Sequence, residues 1–451
     1  MRSRPAPLPE RLDAAPRAAA RRAARRAATV GLLTLGLVLG LRSPAARADE
    51  ELVEDLSGAR HFAPMWPGGT FELGEDSGFH WARIVTDGEA GSTFVANVRP
   101  YKPLIDASGK FVKVRIKVDD VSKLSGMEFR LSSDRFASSY YAFSFPLYDD
   151  SDFNIVRDGV WTTLTFPFGS GRVEGEPDRS HIDSLGWYVS DKGNGAPLTA
   201  WWGGISLVDE PTEGVVTITF DDGYDENLVA AEIMARHGMK GTAYIIPESI
   251  GQNGYLNHHQ LVDMQLRYGW DIAAHHQTPF TELRPDELEN VILGVKQFLA
   301  ENDFGAGAVH LAYPLGRQNT ALVRPLVRKH FATARVAAMG PETLPPADPH
   351  LLRVLNVTNE TRPEDVVAAA QRAKDDKEWL ILMLHYLVEK PENSLQYPVA
   401  DFEKMIAGIA KTQVRVLPMT QVWAACGRDF TDPSADGGCR FDAANVAAPK
   451  P

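Results

Sequence analysis

Residues 215–223 read VVTITFDDG, and this stretch decides the fold. Six residues drawn from Val, Thr, Ile and Phe run without a charge and stop at two adjacent carboxylates and a glycine. A run of that length and β-branched character is a buried strand, too short for a helix of ordinary size. It marks the place where the hydrophobic pattern changes.

Upstream, from about residue 50 to 210, the period is two. In VKVRIKV (112–118) Val and Ile alternate with Lys113, Arg115 and Lys117, so one face is buried and the other is wet. MEFRL, YYAFSF and TLTFPF behave alike, with Gly, Asp and Ser clusters between them. Short strands broken by turn residues predict an antiparallel β-sandwich of jelly-roll type over residues 49–210, with no helix in it. Its aromatic residues include Tyr140, Tyr141, Trp161, Trp187, Tyr188, Trp201 and Trp202. Such rings stack on sugar faces, which suits a carbohydrate-binding domain, but core filling is the plainer use of any single ring. Adjacent pairs such as Trp201 and Trp202 must point to opposite faces of a strand.

Downstream, strands and helices alternate. GTAYII, DIAA, VHLAYP, FATARV, WLILML and VRVLP read as strands, and PDELENVILGVKQFLAEN, PEDVVAAAQRAK and ADFEKMIAGIAKT as helices. This order predicts an α/β domain over residues 211–425 whose parallel sheet has enough units to close into a (β/α) barrel. In such folds chemistry collects at the C-terminal ends of the strands.

The two ends of the chain have other business. Residues 1–48 combine a basic stretch ending at Arg26, an apolar run from Ala27 to Leu41 and the small residues Ala46-Arg47-Ala48, the pattern of a secretory signal cut after Ala48. This implies export to the periplasm or outside the cell, with no membrane span left after cleavage. Removing the ten Arg and two acidic residues of that leader from 47 basic and 59 acidic residues leaves 37 and 57, a net charge of −20. So acidic a chain is a poor partner for nucleic acid or an anionic membrane, whereas an uncharged or cationic glycan is acceptable. Cys426 and Cys439, the only cysteines among 451 residues, lie in a C-terminal tail (426–451), where an exported protein would join them in a disulfide.

Four strand ends carry the polar groups: TFDDG (219–223), His275-His276 in IAAHHQTPF (272–280), AYPLG (312–316), and His385 at the end of ILMLHY. Two adjacent carboxylates repel each other unless a cation or a proton transfer uses them. One carboxylate with one or two imidazoles is a donor set for zinc or a similar divalent ion. The other carboxylate remains as a base for water, and a further histidine can protonate a leaving group. The inventory fits metal-assisted hydrolysis of an amide or ester.

With these motifs, residues from about 213 to 420 resemble the polysaccharide deacetylase family, the NodB-homology domain of carbohydrate esterase family 4. The resemblance implies a distorted (β/α) barrel that removes N- or O-acetyl groups from a polysaccharide or cell-wall glycan, N-acetylhexosamine units first, with a divalent metal such as Zn2+. It implies that Asp221 is the general base, Asp222 and His275 are metal ligands, His385, held charged, is the general acid, and the backbone N–H of Leu315 is an oxyanion donor. Two positions depart from the family pattern. Ala312 stands where the third motif often has an arginine that orients the base. Pro279 stands where the second histidine of a His-x-x-x-His motif belongs, which leaves His276 as the remaining strong ligand nearby. His258, His259 and His310 are expected to be structural.

Two rival readings are a catalytically weak homologue that acts as a glycan-binding protein and a glycoside hydrolase. The second needs two separated carboxylic acids, and Asp221 and Asp222 are adjacent.

Overall fold

The computed structural model describes residues 50–426 apart from 58–61, 67, 90, 146 and 148–153, together with 439 and 441. The predicted leader lies outside these residues. Among the described residues no helix is long and apolar enough to cross a membrane.

The period-two half forms two antiparallel sheets of six strands each. In the first, Gly69–Asp76, Phe79–Thr86, Thr199–Asp209, Lys110–Val118 and Thr162–Phe166 lie side by side, with Glu50–Glu54 also paired to Thr199–Asp209. The second runs Arg172–Glu174, Tyr140–Ser144, Leu124–Ser132, Ser184–Asp191, Ser92–Asn97, Phe62–Pro64. Val112, Val114, Ile116 and Val118 of the VKVRIKV strand are fully buried against Phe129, Leu131 and Val189 of the facing sheet. The adjacent aromatic pairs split as strand geometry requires. Trp202 and Trp187 stack in the core with ring centroids 6.2 Å apart, while Trp201 lies over Lys117 on one outer face and Tyr188 over Arg130 on the other.

The last sandwich strand ends at Asp209 and the first barrel strand is Val215–Phe220. It is followed in parallel by Thr242–Ile245, Asp271–Ala274, His310–Ala312, Thr333–Met339, Leu352–Asn356 and Trp379–Leu384, and this seventh strand pairs back onto the first. The ring is closed, and Arg415–Val416 adds a short extra pairing to the first strand. Helices Asn227–Ala235, His258–Leu266, Pro285–Glu301, Val323–His330, Pro363–Asp375 and Val399–Thr412 intervene between the strands, so the α/β expectation holds. His258 begins its helix behind an Asn257 cap that is completed by Gln260, and His310 is buried in its strand. Cys426 and Cys439 form a disulfide with an S–S distance of 2.05 Å. Both are buried beside Phe441, Met419 and Val422, so the bond pins the chain end onto the barrel.

Candidate active site

Alternation along the barrel strands decides which side chains can meet. Val216, Ile218 and Phe220 of the first strand, and Leu380, Leu382 and Leu384 of the seventh, pack outward in the larger core with the helices. Val215, Ile381 and Met383, with Ala273 and Ala312, fill the barrel interior. Continuing each interior series to the strand end reaches Asp221, His275 and His385.

Asp221 is buried, and its Oδ1 is ion-paired with the Arg335 guanidinium. Arg335 is itself buried, in the fifth strand, where its Cα pairs with Ala312. The guanidinium sought at position 312 is thus supplied from the adjacent strand. The sequence reading missed it. The available signal was a lone arginine in the apolar strand FATARV, since a buried charge of this kind requires a carboxylate. Arg335 also lies over the Tyr244 ring, 5.0 Å from its centroid, and donates to Met383 Sδ at 2.8 Å.

Asp222 would point away from the interior by simple alternation. Its φ of 70° places it in the left-handed region, a costly conformation for a non-glycine residue, and the turn brings its Oδ1 to 3.3 Å from His275 Nε2. His275 Nδ1 donates to the carbonyl oxygen of Ala312 at 2.8 Å, which fixes the ring with Nε2 toward Asp222. Burial opposes a charge on His275, but the hydrogen bond to Asp222 and the charges of Asp221 and Asp222 outweigh it and raise its pKa. For Asp222, burial works against ionisation, yet His275, His385 and the Tyr224 hydroxyl together hold the carboxyl below its ordinary range. A carboxylate facing an imidazole Nε2 whose Nδ1 is tied to a backbone carbonyl suits a divalent ion, which would take the place of the shared proton.

His276, one residue on, has the opposite alternation and is not drawn to this pair. Its Nδ1 closes a local turn with Thr278, 2.9 Å from the carbonyl oxygen and 3.1 Å from the amide nitrogen. Its ring lies 5.7 Å from that of Phe280. Among the described residues no three His, Cys, Asp or Glu side chains gather into a metal cluster. His276, expected as a third ligand, is held at Thr278 and does not join Asp222 and His275 among the described residues.

His385 follows the seventh strand, and its carbonyl oxygen accepts from Asn227 Nδ2 at 3.0 Å. Its imidazole is largely buried, and that burial lowers its pKa despite the opposing charges of Asp221 and Asp222. Burial thus works against the charge expected on His385. Leu315 occupies the turn Pro314–Gly316 after the fourth strand, with φ 54° and its side chain exposed. The turn is held by Gly316 N donating to Tyr313 O at 2.8 Å and Arg317 N donating to Pro314 O at 3.1 Å. Beside Asp222, Tyr224 stacks on Tyr255 with centroids 5.0 Å apart and meets Tyr386 edge-on at 4.1 Å, an aromatic wall that the motifs did not disclose.

Comparison with known proteins bears on the same region. Residues 209–333 match the family model described as polysaccharide deacetylase. The Bacillus subtilis (strain 168) protein YxkH, which carries that family's name, is 33% identical over 113 residues, 24% of this chain and 40% of YxkH. The chain thus spans less than half the length of this curated relative. Among solved structures, the Xyl-CE4 domain of a multidomain xylanase from the hindgut metagenome of Trinervitermes trinervoides aligns at 16% identity and TM-score 0.35, covering 48% of this chain and 93% of that one. The family 11 carbohydrate-binding module of Lic26A-Cel5E from Clostridium thermocellum aligns at 16% identity and TM-score 0.28, covering 36% of this chain and 95% of the module. Residues 209–333 thus carry the match to the polysaccharide deacetylase family, and it is this segment of the chain that is similar to it.

Proposed function

We propose that the barrel hydrolyses acetyl groups from a polysaccharide, N-acetylhexosamine units first, with Asp222 and His275 holding a divalent metal ion such as Zn2+. The observation that carries this reading is the Asp222–His275 contact, 3.3 Å long, with His275 Nδ1 committed to Ala312 O and a second carboxylate, Asp221, locked beside it by Arg335. When bound, the ion would supply Lewis-acid polarisation of the acetyl carbonyl and acidify water. Asp221 accepts the proton of the attacking water, and its pairing with Arg335 fixes which oxygen is presented. The Leu315 N–H stabilises the negative charge that develops on the carbonyl oxygen. His385 passes a proton to the departing sugar nitrogen or oxygen. Burial disfavours a charge on that imidazole, so in this reading it takes up the proton within the catalytic cycle.

A glycan-binding protein that retains the barrel as a scaffold is the alternative, and one experiment separates the two. Purified protein is assayed for bound metal and for acetate release from a panel of acetylated polymers. The catalytic reading expects stoichiometric metal, lost in Asp222→Ala and His275→Ala, and acetate release abolished in Asp221→Asn with the metal retained. Unchanged turnover in Asp221→Asn would remove the base from its role, and a metal-free wild type releasing no acetate would leave the binding protein.

A further inference from the structure

The outer face of the second sandwich sheet carries a second set of chemical groups, remote in sequence from the barrel. Strand register places Arg172, Ala142, Arg130, Gly186 and Ala96 in one row across five strands. The small residues on either side of Arg130 leave its guanidinium room to lie across the sheet. Four rings close on it, with centroids at 4.8 Å (Tyr188), 5.0 Å (Phe94), 5.2 Å (Tyr140) and 5.6 Å (Trp66). Glycine at 186 is required for this, because a Cβ there would stand 2.6 Å from the Phe94 ring. Glu128 completes the centre, 2.6 Å from Arg130 Nη2 and 3.6 Å from Arg172 Nη2. Tyr188 is further fixed by a 2.8 Å hydrogen bond between its hydroxyl and Ser92.

The arrangement goes beyond what packing needs. Trp66 leaves 43% of its surface in water, next to Met65 at 51%. Exposed rings held rigid by a buried cation lose little freedom on binding a flat ligand. The nearby charges balance, Arg130 and Arg172 against Glu128 and Glu174, so neither an anionic nor a cationic polymer is favoured. Pyranose rings offer apolar faces for Trp66 and Tyr188 and hydroxyl pairs for the carboxylate and guanidinium groups.

We propose that this face is a binding site for an uncharged glycan chain of pyranose units, separate from the barrel chemistry. The proposal rests on the deacetylase reading only in supposing that both sites meet the same polymer. The test is calorimetric titration of the full chain carrying Asp221→Asn, so that no probe is consumed, with cellohexaose, xylohexaose and chitohexaose, and polygalacturonate as an anionic control. At least one neutral hexasaccharide should bind, with Kd raised about tenfold or more by Trp66→Ala and by Tyr188→Ala while Tm stays near that of the parent. In an otherwise wild-type chain, Trp66→Ala should leave acetate release from a short soluble acetylated substrate unchanged. No binding of any neutral probe, affinity unchanged from the parent in both ring variants, preference for polygalacturonate, or a Trp66-dependent dimer without glycan binding would each overturn the proposal. Trp66-dependent binding by a chain that releases no acetate would instead defeat the deacetylase reading and leave this site standing.

Discussion

At Asp221 the decisive partner is Arg335, a residue 114 positions away in sequence and fully inside the barrel. Removing one member of a buried ion pair strands the other, at a cost of about 3–5 kcal/mol. Arg335→Met should therefore lower Tm and reduce kcat/KM at least a hundredfold while bound metal is retained, measured side by side by calorimetry, acetate release and metal analysis. Loss of stability with full activity would make the pair structural only. His310 shows the opposite use of a buried titratable group. Complete burial pushes its pKa down to about 3, so the folded chain keeps it neutral. The unfolded chain takes up that proton below about pH 6.5, so folding stability falls as pH drops from about 6.5 toward 3, by up to about 1.4 kcal/mol per pH unit. Thermal melts at pH 7 and pH 5 should show a smaller difference for His310→Gln than for wild type.

At the scale of elements, strand parity did most of the sorting. Asp221, His275 and His385 end interior series, whereas His276 has the wrong parity and turns to Thr278. Two short turns add what parity could not: the one at Asp222 and the one at Leu315, both with positive φ. The Leu315 turn lies hard against the fifth strand, where a Cβ on Gly316 would stand 2.7 Å from Ala337 N, and Gly316 itself has φ 68°. Gly316→Ala should push this turn off the strand and carry the Leu315 N–H with it. Because loss of one oxyanion donor costs roughly 10²–10³ in kcat, a fall of tenfold or more in kcat with little change in KM is expected. A kcat unchanged in Gly316→Ala would show that the turn takes no part in the reaction.

At the scale of the whole molecule, sandwich and barrel are joined by more than the segment between Asp209 and Val215. Arg353 on the sixth barrel strand pairs with Glu342 at 2.8 Å, both buried, and its Nη2 reaches the carbonyl oxygen of Thr165 in the sandwich at 3.4 Å. Arg157 from the sandwich side donates to the carbonyl oxygen of Gln318, three residues after Leu315, also at 3.4 Å. Buried apolar residues of both halves belong to one continuous core. Calorimetry should accordingly show one unfolding transition for the two halves, shifted to lower temperature as a unit by Arg353→Ala. Two separate transitions, with only the barrel's moving, would show that the halves fold independently.

Periodicity alone determined the sandwich, the barrel and their order, because hydrophobic spacing reports local geometry residue by residue. It also placed Asp221, His275 and His385 at strand ends, where barrel chemistry gathers. The tertiary structure decided the rest. Closure of the ring brought Arg335 to Asp221, a pairing that no local pattern encodes. A left-handed turn returned Asp222 to the interior, and alternation removed His276 from it. Burial, which depends on every surrounding element, works against the charge expected on His385 as the acid.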